Sequence, residues 1–198
     1  MKGIQVTMER SVRISREENR DKFRAYCAKF FSTYYKPVRA PVLAHGDFRP
    51  NNLMHRTRDD GTIEVKIVDL QTLQGGSPVM DLLYFVFTGS DEQFRAAHYE
   101  RLVEHYYEQL VRTMRRLGLN PATTYSREDF HHELKEKLPC GLGIALFTLP
   151  CITIEEENAP QLTDDLDMSS FYLETTSDLY AERLNGIIND FAKWGVLT

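Results

Sequence analysis

An α+β fold, mostly helical with one small segregated β element, is what the sequence predicts. Long stretches carry apolar residues at three- and four-residue steps, the mark of amphipathic helices. One short segment, 62–68, instead alternates apolar and polar residues, and Asp59-Asp60-Gly61 before it is turn chemistry. The chain has 198 residues, enough for one domain with a real core or one lobe of something larger. Its hydrophobic content of 42% and charged content of 27% belong to a soluble globular chain. A net charge of -5 gives no reason to expect nucleic acid or an anionic membrane as partner. Cys27, Cys140 and Cys151 are too few and too scattered for a disulfide framework or a zinc site. They read as free thiols in a reducing compartment, with Cys27 and Cys151 buried in apolar surroundings. The opening residues lack the apolar core of a signal peptide. The longest apolar run, 142–154, falls short of the roughly 20 residues a membrane span needs. A cytoplasmic protein without a membrane partner is expected.

Residues 1–14 show no strong signal and read as a ragged start. Ser15 and Glu18 match a capping box that opens a helix with Phe23, Tyr26, Cys27, Phe30, Phe31 and Tyr34 inward, closed by Pro37 and Pro41. Residues 41–44 read as a strand, 53–55 as a second and 62–68 as a third, the last two forming a hairpin. The Gly-rich stretch 73–78 lacks the pattern of a phosphate-cradling loop and reads as a connector. Residues 79–88 predict a buried helix carrying one acid, Asp81, which needs hydrogen-bond donors around it. Ser90 with Gln93 is expected to cap a long helix ending at Leu117, with Phe94, Ala97, Arg101, Leu102, Tyr106, Leu110, Met114 and Leu117 inward. Arg112, Arg115 and Arg116 fall on its solvated face. Ser126 with Asp129 opens a further helix that Pro139 should close, and 141–152 predicts a central buried helix interrupted at Pro150. The acidic stretch 155–167 does not match an EF-hand and reads as a solvated loop. A last helix spans 177–194, with Tyr180, Leu184, Ile187, Ile188 and Phe191 inward.

The chemistry concentrates between Val42 and Gln71. There a strand runs into His45-Gly46-Asp47-Phe48-Arg49-Pro50-Asn51-Asn52, and the hairpin that follows ends at Asp69. Two strands thus deliver carboxylates to one rim with the amide of Asn52 between them. Carboxylates and amide carbonyls are hard oxygen ligands or proton acceptors, which magnesium and a transferring phosphoryl group require. Asp47 can accept a proton from an attacking hydroxyl. The carbonyl of Asn52 can bind magnesium while its amide holds the loop, and Asp69 can bind the same ions and bridge nucleotide phosphates. His45 is read as a scaffold histidine and Asn51 as a turn amide. His98, His105, His131 and His132 lack the spacing of helical zinc motifs and read as surface residues.

HGDxxxxN followed by a hairpin and IVDLQ resembles the catalytic loop and metal-binding segment of the aminoglycoside phosphotransferase and choline kinase group of small-molecule kinases. Within that group, HGDFRPNNLM, IVDLQTLQGGSP and MDLLYF are most similar to the ecdysteroid kinase-like, or CHK-domain, family. The resemblance covers the catalytic loop through the last helix. It implies that residues 1–198 form a single C-terminal lobe of a protein kinase-like fold, with 42–71 as catalytic loop and metal segment. It implies ATP and Mg2+ as cofactors and a small-molecule alcohol, steroid-like or otherwise, as substrate. By the same resemblance Asp47 is the catalytic base, Asn52 and Asp69 bind metal and nucleotide, and His45 is structural. Asp81 is the acid that accepts hydrogen bonds from the loop backbone. Leu70 and Gln71 stand where protein kinases have the Phe and Gly of Asp-Phe-Gly. Tyr84, Phe87, Phe147 and Tyr172 are apolar enough to line a substrate cavity.

Such kinases carry an N-terminal lobe with a nucleotide-covering loop and a phosphate-pairing lysine. No segment before His45 has that pattern, and Lys29 and Lys36 are poorly placed. The expectation is therefore a lobe without its N-terminal partner. It is either part of a longer kinase or a short protein that has left catalysis for binding or regulation. A metal-dependent phosphoesterase would need further His and Asp ligands that the sequence does not place.

Overall fold

The structure, a computed structural model, describes residues 2–33, 42–159 and 176–197. It is mixed α/β, predominantly helical, with two small antiparallel two-stranded sheets. The elements in order are α1 (Lys2–Ile14), α2 (Arg20–Thr33), β1 (Val42–Ala44), β2 (Leu53–Thr57), β3 (Ile63–Ile67), β4 (Gln74–Gly76), α3 (Pro78–Gly89), α4 (Glu92–Arg116), α5 (Pro121–Thr124), α6 (Arg127–Ile152) and α7 (Asp178–Lys193). Two compact units are formed, Met1–Tyr35 with Leu142–Thr198, and Lys36–Gly141.

The first unit departs from the expectation at its start. Residues read as ragged form helix α1, whose inward face includes a polar residue, Ser11, only 1% exposed. The Ser11 hydroxyl is satisfied by Tyr180 of α7 at 2.7 Å and by the Thr7 carbonyl, so the face is stable without reading as apolar. Asn185 of α7 then finishes α1: its Nδ2 donates to the Ile14 carbonyl, and its Oδ1 accepts from Arg16 N at 2.8 Å. The capping box expected at Ser15 and Glu18 does not form. Ser15 Oγ donates instead to the Val12 carbonyl, a 3-10 turn covers Glu17–Asn19, and α2 begins only at Arg20. Phe23, Tyr26 and Cys27 are buried as expected, whereas the side chains of Phe30 and Phe31, and residues Tyr34, Pro37 and Pro41, lie outside the described set. The Ser177 hydroxyl caps α7 by accepting from Tyr180 N, and Tyr180, Leu184, Ile187, Ile188 and Phe191 are all fully buried as read.

In the second unit β2 and β3 form the expected hairpin, with Leu53 opposite Ile67 and Thr57 opposite Ile63. The stretch read as a connector contains a strand, β4, which pairs with β1 from Val42–Gly76 to Ala44–Gln74. Two of its three residues are glycine and carry no strand signal; the partner strand supplies it. Helix α3 is capped by Ser77 with Pro78 at its first position. Helix α4 is capped by Asp91 rather than Ser90, whose hydroxyl turns back to the Val86 carbonyl. Its inward face is rotated from the expected one. Met114 is buried as read, but Arg95, Val103 and Tyr107 are buried as well, while Phe94, Ala97, Arg101 and Leu117 are exposed. Arg95 is 1% exposed because its guanidinium donates to the Ser90 carbonyl at 2.6 Å and lies over the Phe87 ring. Arg112, Arg115 and Arg116 are exposed, as are three of the four helical histidines, His98 being half-buried.

Helix α6 opens with the reciprocal Ser126–Asp129 capping box but runs through both Pro139 and Pro150. Each interior proline costs about 3 kcal/mol. Phe130, Leu134, Cys140, Leu142, Leu146 and Leu149 are buried along the helix, and each large apolar side chain returns about 1.5–3 kcal/mol. Burial therefore outweighs the two breaks. Cys151 is half-buried, not buried as expected. No helix among the described residues is long and apolar enough to cross a membrane.

Candidate active site

Strand β1 ends at Ala44 and the chain turns sharply through His45, Gly46 and Asp47. Gly46 has φ +83, and a Cβ there would lie 2.6 Å from the Thr72 carbonyl, so the turn admits only glycine without strain. Asp81, one turn into α3, accepts from the backbone N–H of His45 at 2.7 Å and of Gly46 at 3.1 Å with its two carboxylate oxygens. The Thr72 hydroxyl donates to the His45 carbonyl at 2.7 Å. The apex of the loop is thus fixed from two sides.

The His45 ring is 6% exposed, and its hydrogen bonds assign the tautomer. Nδ1 accepts from Asp47 N at 3.3 Å, so Nε2 carries the proton and donates to the Val68 carbonyl at 2.9 Å. Val68 N donates to the Asn52 carbonyl at 3.0 Å. Val68 is therefore gripped at both its N–H and its C=O by the two ends of the loop, and the next residue is Asp69. This grip joins the hairpin's second arm to the loop.

Asn52 is 4% exposed and is the last residue of the 3-10 turn Pro50–Asn52. Its Nδ2 donates to the Asp47 carbonyl at 2.8 Å and to Asp47 Oδ2 at 3.0 Å. Arg49, not singled out in the sequence, places its Nε on the same Oδ2 at 3.2 Å. Both donors sit on one carboxylate oxygen, so Asp47 Oδ1 makes no hydrogen bond with a described residue; nor does Asn52 Oδ1. Asp69 is exposed, its side chain makes no capping bond, and its φ of 68 with ψ 50 is the one left-handed non-glycine backbone among the described residues. Such a conformation costs on the order of 1 kcal/mol or more and is concentrated at functional sites.

Helix α3 backs the whole loop with a stripe at four-residue spacing. Asp81 clamps the apex, Phe85 packs on Phe48 at 5.8 Å, and Gly89 lies under Pro50. Phe48 also contacts the His45 ring at 5.6 Å. The family resemblance already pointed Asp81 at the loop, and the structure adds Phe85 and Gly89 to the same face. Phe87, considered for a substrate cavity, is instead core: fully buried, against Tyr99, with its ring where a Cβ on Gly141 would be 2.4 Å away. Phe147 belongs to the other unit and Tyr172 lies outside the described residues.

Among the described residues no group of three or more His, Cys, Asp or Glu side chains could hold a metal ion. The unengaged oxygens of Asn52 and Asp69 nonetheless suit magnesium. That ion takes oxygen ligands, and is commonly held by one or two protein groups together with substrate phosphates and water rather than by a full protein cage.

Loop, hairpin and backing helix together define a mainly helical chain that presents acids and an amide at the ends of short strands. The model of the ecdysteroid kinase-like family matches residues 5–119, from within α1 to just past α4, and the chain belongs to that family. At the family level this is a kinase-like phosphotransferase. No curated protein and no solved structure matches the chain.

Proposed function

We propose that this chain is the C-terminal lobe of a protein kinase-like small-molecule kinase that transfers the γ-phosphate of ATP to the hydroxyl of a small alcohol, an ecdysteroid-like one by the family's description. The observation that carries the reading is the division of labour at Asp47. Asn52 Nδ2 and Arg49 Nε both occupy Oδ2 and leave Oδ1 unengaged. A carboxylate oriented in this way is suited to take a proton from a substrate hydroxyl. As the hydroxyl oxygen bonds to the γ-phosphorus, its proton passes to Asp47 and the bond from that phosphorus to the ADP oxygen breaks.

Asn52 Oδ1 and the Asp69 carboxylate would hold magnesium with the nucleotide phosphates. When bound, magnesium neutralises charge on those phosphates. His45 and Asp81 support the reaction by fixing where these oxygens lie, and catalysis of this kind depends mainly on positioning and charge. The test is transfer from γ-labelled ATP to a panel of small alcohols including an ecdysteroid, with magnesium-dependent nucleotide binding measured alongside. Asp47→Asn should lower turnover by about a hundredfold to ten-thousandfold and leave magnesium nucleotide binding nearly unchanged. Asp69→Ala should weaken both. Unchanged turnover in Asp47→Asn would remove Asp47 as the base. Alcohol binding by the native chain without any transfer would favour a binding module instead.

A further inference from the structure

Pro50 and Gly89 meet where the loop crosses the end of α3. A Cβ built on Gly89 would lie 2.5 Å from Pro50 Cγ, 3.3 Å from Cδ and 3.9 Å from Cβ. Carbon atoms settle at about 3.5–4.0 Å, so the proline ring would have to retreat by about 1 Å. A pyrrolidine ring cannot swing aside as a flexible side chain does, because its atoms are tied to the backbone at N and Cα. That backbone is the start of the turn Pro50–Asn52, in which Asn52 N donates to the Arg49 carbonyl at 2.9 Å. Two residues on, Asn52 carries the bonds to Asp47 that leave both Oδ1 atoms unengaged.

We propose that Gly89 is a positioning residue for the phosphoryl-transfer site, acting as a socket. The absence of its side chain lets Pro50 seat against α3 and so sets where Asn52 stands relative to Asp47. This rests on the kinase reading above for its consequence in turnover, but the geometry it asserts is independent of that reading. Gly89 is the last residue of α3 and has no left-handed φ. Alanine is therefore allowed by the backbone and favoured by helix propensity. A purely structural role for Gly89 predicts that Gly89→Ala holds or raises the melting temperature and leaves the site alone. The socket predicts displacement at the site.

The experiment uses the 198-residue chain and three variants: Gly89→Ala, Pro50→Ala and the double variant. Two quantities are read, the side-chain amide resonances of Asn52 by NMR and the affinity for Mn2+ with ATP. In Gly89→Ala the Asn52 resonances should shift and the affinity should fall between about tenfold and a hundredfold, as for lost outer-shell support of a metal ligand. Pro50→Ala removes Cγ and Cδ and leaves only the atom at 3.9 Å, an ordinary contact, so the double variant should recover both readouts. Asn52 resonances unmoved in Gly89→Ala, or no recovery in the double variant, overturn the socket. Shifted and rescued resonances in a chain that binds no Mn2+ with ATP would uphold the socket and sink the kinase reading instead.

Discussion

Asp81→Asn separates the clamp on the loop from the packing of the helix that carries it. The aspartate accepts two backbone N–H groups, His45 at 2.7 Å and Gly46 at 3.1 Å, one on each oxygen. An asparagine of the same shape offers one oxygen, and its NH2 then faces the second N–H, donor against donor. A hydrogen bond to a charged acceptor contributes about 1.5–3 kcal/mol, and Asp81 is only half-buried, which favours the low end. Losing one bond and weakening the other should cost about 2 kcal/mol, or roughly a thirtyfold change in the local opening equilibrium. Denaturant unfolding gives the first number and amide hydrogen exchange at His45 and Gly46 gives the second. Faster exchange should be confined to the loop and spare Leu83 and Phe87, which are fully buried on α3. If His45 and Gly46 exchange as in the native chain, the carboxylate is not what holds the loop. If all of α3 exchanges faster, the residue supports the helix rather than the loop.

Two further outcomes test parts of the structure by difference. Gly46 and Gly61 have nearly the same backbone, φ +83 and +80, but only Gly46 has an atom in the way of a Cβ. Gly61→Ala should cost about 1 kcal/mol from the left-handed backbone alone, and Gly46→Ala should cost clearly more in denaturant unfolding; equal costs would refute the close approach to Thr72. In the other unit, burial pushes the Cys27 thiol up from 9.0 to about 12. The unfolded chain then loses that proton near pH 9 while the folded chain keeps it. The stabilisation is full below pH 9 and drains away as pH rises toward about 12. Between those values Cys27→Ser should flatten the fall in stability by up to about 1.4 kcal/mol per pH unit, and parallel pH profiles for the two proteins would contradict the assignment.

What could be read from the sequence was chemistry carried by neighbours in the chain. Asp47, Asn52 and Asp69 stand at the ends of short strands, and a strand that stops at an acid signals a rim without reference to anything distant. Helix α7 was equally legible, because its inward residues are apolar at regular steps and its cap is a serine. The failures share a different cause: contacts that the local apolar pattern does not show changed what a residue meant. Arg95 is not among the residues read as inward on α4, yet the Ser90 carbonyl and the Phe87 ring make its burial tolerable. Ser11 hides α1 from an apolar pattern because its partner, Tyr180, is supplied by α7. Pro139 reads as a stop, and only the buried residues on both sides of it show why α6 continues. Ile63, Val65 and Ile67 alternate as a half-buried strand should, yet all three are more than half exposed. Period two identifies a face and says nothing of whether that face is covered.

The same distinction applies within the site. Each candidate oxygen could be named from the sequence, but not what ties the strand before Asp69 to the loop that carries Asp47. That reason is Val68, whose N–H is held by the Asn52 carbonyl and whose C=O is held by the His45 ring. His45 in turn accepts Asp47 N on its other nitrogen, so one neutral imidazole links the residue before Asp69 to Asp47 itself. Protonating that ring would place a donor opposite Asp47 N and break the link at Nδ1 while keeping the bond to Val68. The histidine therefore serves the site by being neutral in one tautomer, and its value lies in the geometry it transmits. A lysine or arginine there could donate to Val68 but could not accept from Asp47. The asymmetry of the imidazole is what lets a single side chain register both arms of the site.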